Sequence, residues 1–222
     1  MDIRIVNFHG IGAPQRDLEV GEAPFWLSRD QFCAVLDRIA GHRYRSRLAI
    51  TFDDGNVSDL DIALPELQQR GLAASFFVLT GRLDRPGSLS RADVATLETQ
   101  GMRIGSHGVD HNDLTTIAPE QLLNDLVRSR EVLEDVCANP VGSFAIPFGR
   151  YNSSVLRAIK IAGYRTAYSS DGGSARAGAF LQPRRSLRRD MSPTEIDRIL
   201  AGRMPLLRQI RRSVAMRVRQ MA

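Results

Sequence analysis

A chain of 222 residues carries only two cysteines, Cys33 and Cys137, and one lysine, Lys160. The cysteines lie far apart in apolar helical patterns and have no partner at metal-knuckle spacing. This argues against a disulfide framework or a cysteine-based zinc module and makes both small core residues. No apolar run approaches the ~20 residues that span a bilayer. The stretch from Met1 to Phe8 enters a strand directly, with neither the basic segment nor the apolar stretch of a secretory signal. The expectation is a cytoplasmic chain, at most peripheral at the inner face of a membrane. Repeats of fixed period and low-complexity linkers are absent too.

The formal charge is +5, yet the basic residues are thinly spread until the C-terminus, so no nucleic-acid partner is expected. A hydrophobic fraction of 43% and a charged fraction of 25% suit an ordinary globular chain with one sizeable core.

Short apolar strands alternate with amphipathic helices along the sequence. Strands are expected at Ile3–Phe8, Leu48–Phe52, Ala73–Leu79, Met102–Gly105, Ser143–Ile146 and Arg165–Tyr168. Helices are expected from Ser28 to Gly41, from Asp59 to Arg70 with a kink at Pro65, after Ser90, from Pro119 to Val136 and from Ser153 to Ala162. This alternation predicts an α/β fold with a largely parallel sheet of about seven strands, closed into a distorted or incomplete barrel. The catalytic unit is expected over residues 1–190, with a helical extension over 191–222. The tail from Pro205 is a basic amphipathic helix, a pattern that suits packing on the barrel, pairing with another subunit or lying on an anionic membrane surface.

The chemistry gathers at strand ends. Leu48–Phe52 delivers Asp53 and Asp54 to Gly55, and strand alternation sends the two carboxylates to opposite sides. Ser106-His107-Gly108-Val109-Asp110-His111 spaces two histidines so that one turn or a compact loop aims both at one point. Two imidazoles and one carboxylate make a common first shell for zinc or another divalent transition metal (cobalt, nickel, manganese or iron), and the second carboxylate stays free to act as a base. The implied reaction is metal-assisted hydrolysis.

Thr51-Phe52-Asp53-Asp54-Gly55 together with Ser106 to Leu114 resembles the first two motifs of the polysaccharide deacetylase family, the NodB-type domain of carbohydrate esterase family 4. The resemblance covers residues 3 to about 190. It implies a distorted (β/α) barrel, Asp53 as general base, Asp54, His107 and His111 as metal ligands, and an acetylated sugar or glycan as substrate. Ala145-Ile146-Pro147-Phe148-Gly149 resembles the third motif, in which the backbone N–H at Phe148 stabilises an oxyanion.

Two departures stand out. The arginine that often orients the base is replaced by Ala145, and Arg184 or Arg185 is the expected substitute. The usual late histidine is missing because none follows His111, which leaves His9, at the end of the first strand, as the expected acid. Three alternatives accompany this reading: an amide hydrolase of the same fold on a non-acetyl or non-sugar substrate, a two-histidine, one-carboxylate iron site, and a degenerate member that only binds glycan.

Overall fold

The computed structural model describes residues 2–221. Six strands, Asp2–Phe8 (β1), Leu48–Asp54 (β2), Ser75–Val78 (β3), Arg103–Ser106 (β4), Ser143–Ala145 (β5) and Thr166–Ser169 (β6), pair in parallel, each with the next in sequence. Between them run Arg29–Ala40 (α1), Leu64–Gln69 (α2), Arg91–Thr99 (α3), Pro119–Cys137 (α4) and Ser153–Ile161 (α5). Ser28 and Ser90 open α1 and α3 with reciprocal capping boxes to Gln31 and Asp93, and Asn152 caps α5. The expected kink near Pro65 takes the form of a wide π turn over Asp59–Ala63. That turn ends before the proline, leaving Pro65 in the first turn of α2, where its missing N–H costs little.

The ring closes through one bent segment. Leu181–Pro183 (β8) runs parallel to β6, and two residues later Arg185–Ser186 (β9) lies beside Val6 and Asn7 of β1. Counting β8 and β9 as one stave gives seven parallel staves, matching the sequence expectation. A further strand, Ser174–Arg176 (β7), is antiparallel to Asp2–Arg4 and occupies the other half of the same β1 edge. The sequence reading lacks it because three residues are too few for any periodic signal.

Alternation sorts the side chains. Phe8 and Phe52 point outward and meet Phe32 of α1, and Phe52 stacks on Phe76 at 4.6 Å between ring centroids. These four rings are fully buried and form the centre of the apolar layer between sheet and helices. Asn7, Thr51 and Asp53 point the other way, into the barrel, where Arg184 lies between β8 and β9. The Arg184 guanidinium sits 5.2 Å from the Phe77 ring and 5.6 Å from the Tyr168 ring.

Beyond the barrel, Pro193–Leu200 (α6), capped by Ser192 and Glu195, rests on β1 and α1. Leu206–Met221 (α7) runs against α5. Cys137 is buried and Cys33 half-buried, and both are free thiols. Among the described residues, no helix is long and apolar enough to cross a membrane.

Candidate active site

The end of β2 holds two adjacent carboxylates with different surroundings. Asp53 receives both Arg184 terminal nitrogens, Nη1 on Oδ1 and Nη2 on Oδ2, each at 2.7 Å. Asn7 donates a third bond to Oδ2 at 2.9 Å, and its own Oδ1 accepts from Arg184 and from the Thr51 hydroxyl. Burial alone would push Asp53 up, but the Arg184 charge, joined by His107, holds it well below the usual carboxylate range. Of the two candidate arginines, Arg184 is the one that faces Asp53, and it is 0% exposed.

Asp54 departs from the expected alternation. Its φ of +79° ends the extended geometry, and both carboxylates line one cleft rather than opposite sides of the sheet. Burial pushes Asp54 up as well, but the imidazoles of His9, His107 and His111 outweigh that and hold it below its ordinary value. Asp54 Oδ1 is buried and has no hydrogen-bond partner. It faces His107 Nε2 at 3.5 Å and His111 Nε2 at 3.9 Å.

The tautomers follow from the far side of each ring. His107 Nδ1 lies 2.8 Å from the Ala145 carbonyl, which only accepts, so Nδ1 carries the proton and Nε2 presents a lone pair. Burial lowers the His107 pKa to about 4 against the pull of Asp53, so the ring is neutral at neutral pH. His111 Nδ1 lies 2.7 Å from Glu19 Oε2, which only accepts, so Nδ1 carries a proton and Nε2 is the nitrogen that faces Asp54. One carboxylate oxygen and two imidazole nitrogens thus converge, all within 4.8 Å of one another. Lone pairs gathered around an unbonded buried carboxylate oxygen repel unless a cation lies among them, so the donor set fits a divalent metal.

The histidine pair lies on a loop, and α4 fixes that loop. Asp125 accepts the Val109 N–H at 3.2 and 3.3 Å, and burial pushes its carboxyl up to about 6. Only glycine fits at 108, where φ is +92° and a Cβ would stand 2.8 Å from Asp125 Oδ1. A third carboxyl near the pair, Asp59, is fully buried. Burial, then repulsion from Asp54 and Asp53, raises its pKa well above the usual value.

The cleft has a volume of about 450 Å³. His9 lines it, with its ring against Phe25 at 4.9 Å and its Nδ1 buried without a partner. Phe148, 51% exposed and in the left-handed region at φ +57°, forms the rim and packs on His111 at 4.3 Å. His9, Asp53, Asp54, His107, His111 and Phe148 line this cleft; of the two candidate arginines, Arg185 lines it as well and Arg184 lies behind it against Asp53.

The sequence reading did not single out Asn7, Glu19 or Asp125. A polar residue inside the apolar run of β1 was the available signal for Asn7. Glu19 comes from the long loop after β1, where no local pattern marks it. Its carboxylate orients His111, so Glu19→Ala is expected to weaken metal affinity about 10–100-fold without affecting folding, as read by competition with a chelator. Unchanged affinity would mean that His111 is oriented by its loop alone.

The sequence profile of the polysaccharide deacetylase family matches residues 41–167. That stretch contains Asp53, Asp54, His107, His111 and Phe148, but neither His9 nor Arg184. The peptidoglycan-N-acetylglucosamine deacetylase PgdA of Listeria monocytogenes is 30% identical over 115 residues, 51% of this chain and 24% of PgdA. Chitin deacetylase 1 of Cryptococcus neoformans is 28% identical over 111 residues, 50% of this chain and 22% of that protein. The chain therefore spans less than half the length of these curated relatives. Among solved structures, the Streptococcus pyogenes deacetylase PplD in complex with acetate superposes with a TM-score of 0.79 at 22% identity, covering 92% of this chain and 99% of that one. The profile matches more than half of the sequence and contains both the carboxylate pair and the histidine pair: the chain belongs to the polysaccharide deacetylase family.

Proposed function

We propose that the protein is a metal-dependent hydrolase that removes the acetyl group from an N-acetylated sugar or glycan. The observation that carries this reading is the divergence of two neighbouring carboxylates, Asp53 clamped by Arg184 and Asp54 left with a bare oxygen opposite two imidazoles. The family match and relatives named as peptidoglycan and chitin deacetylases favour an N-acetylated sugar as substrate.

Asp54, His107 and His111 would hold the metal, zinc in this reading. When bound, it supplies a Lewis acid that polarises an acyl oxygen and lowers the pKa of water from 15.7 to about 7. Asp53 takes the proton of the attacking water. Arg184 keeps that carboxylate ionised through the neutral range at the expense of basicity, and a base this weak requires a water already acidified. Phe148 offers its backbone N–H to the oxygen that gains negative charge. His9, in the same cleft, gives a proton to the departing amine.

The test is acetate release from monomeric, lipid-linked and polymeric N-acetylated sugars by chelated and zinc-reloaded protein. Release that needs the metal supports the reading, and none from any substrate would leave a glycan-binding role. His9→Ala is expected to lower kcat by about 10²-fold or more. Wild-type turnover across pH in that variant removes His9 from the mechanism.

A further inference from the structure

We infer that the outward face of α7 is a docking surface for an anionic phospholipid membrane. The helix turns Arg212 and Arg219 to the protein: Arg212 donates to the Ser174 carbonyl at 3.2 Å, and Arg219 pairs with Asp171 and covers the Tyr151 ring. Its large apolar residues face the other way. Leu207, Ile210, Val214, Val218 and Met221 recur every three or four residues, which aligns them in one stripe, and each is between 52% and 78% exposed. A helix that packed only on its own barrel would have buried that stripe.

Charge identifies the occupant. The segment has five arginines and no carboxylate, and Arg211 and Arg217 are exposed on the same side as the stripe. A second copy laid on this face would set arginine against arginine with nothing on the helix to relieve the repulsion. An anionic bilayer takes both components, apolar side chains below the headgroups and guanidinium groups among the phosphates.

A second observation lies at the flank of the first turns. Arg4, Arg47 and Arg212, with Gln209 of α7, line a cavity of about 390 Å³ whose wall includes a single carboxylate, Asp2. Arg4 Nε and Nη1 and Arg212 Nε are buried without a hydrogen-bond acceptor. Three arginines against one carboxylate give this cavity a net positive charge, which suits the phosphate of a lipid headgroup.

Co-sedimentation of the full chain with phosphatidylcholine vesicles, with and without phosphatidylglycerol, tests the assignment. The protein is expected to bind only the vesicles containing phosphatidylglycerol and to be released as salt rises. Arg211→Gln with Arg217→Gln is expected to weaken binding about thirty-fold, at ~1 kcal/mol per charge. Val214→Asp with Val218→Asp is expected to abolish it. Both pairs project into solvent, so unchanged circular dichroism checks that the variants are folded. Equal binding to neutral vesicles, no binding by the wild type, or full binding by the arginine variant would each overturn the proposal. So would a wild-type dimer that Val214→Asp dissociates in the absence of vesicle binding, which would assign the face to a second copy.

Discussion

Asp53→Asn is expected to lower acetate release by about 10²–10⁴-fold while the protein retains its metal. The carboxamide keeps the shape of the side chain but cannot accept the proton, and none of the three metal donors changes. Metal content measured beside turnover separates loss of the base from loss of the site; a variant that keeps wild-type turnover would remove Asp53 from the mechanism. The substitution also reaches the fold. Arg184 is fully buried and would lose its carboxylate, so a stability loss of about 3–5 kcal/mol accompanies the activity loss. Adding Arg184→Met is expected to restore much of that stability and none of the turnover, because a buried ion pair exchanged for neutral groups is often close to neutral overall. Recovery of activity in the double variant would contradict a base at this position.

Arg184→Met alone reverses the electrostatics of Asp53. It is expected to cost about 3–5 kcal/mol at neutral pH, since Asp53 would remain buried without its partner. The sign of its pH dependence follows from the two states. In the wild type the folded carboxyl is depressed below its ordinary value of 3.8, so the stabilisation from the pair is complete above that value and is lost as pH falls through the folded pKa. In the variant, burial acts with less opposition and the folded pKa rises. Its deficit is then smallest in acid and grows as pH climbs through the ordinary carboxylate range. Urea midpoints of both proteins between acidic and neutral pH would reveal that divergence, and parallel curves would mean that the guanidinium does not control Asp53. In the same variant, the acid limb of kcat/KM is expected to move to higher pH.

Much of this site is written locally. Asp53, Asp54, His107 and His111 are adjacent or four residues apart, so strand and loop geometry alone brings each pair to a point. The alternating pattern likewise indicates a parallel barrel. What the sequence withholds depends on distant parts of the chain. Arg184 and Arg185 are neighbours in a basic run, and which one enters the barrel is decided where the last strand leaves β6 for β1, a change of partner that no window of residues records. The alternation rule fails at Asp54 because a positive φ there turns the carboxylate back into the cleft. Glu19 reaches His111 across 92 residues from an irregular loop, and β7 is three residues long.

The segment that closes the barrel also carries the counter-ion of Asp53, and this imposes an order in time. A chain growing from its N-terminus carries Asp53 for 131 residues before Arg184 is added. Until then burying that carboxylate is unfavourable, and β2 has reason to keep its end in water. The three proposed metal donors are complete at residue 111, so a nascent chain holds all of them well before Arg184, the counter-ion of Asp53, is in place. If the proposed site is correct, metal capture precedes hydrolytic competence during synthesis.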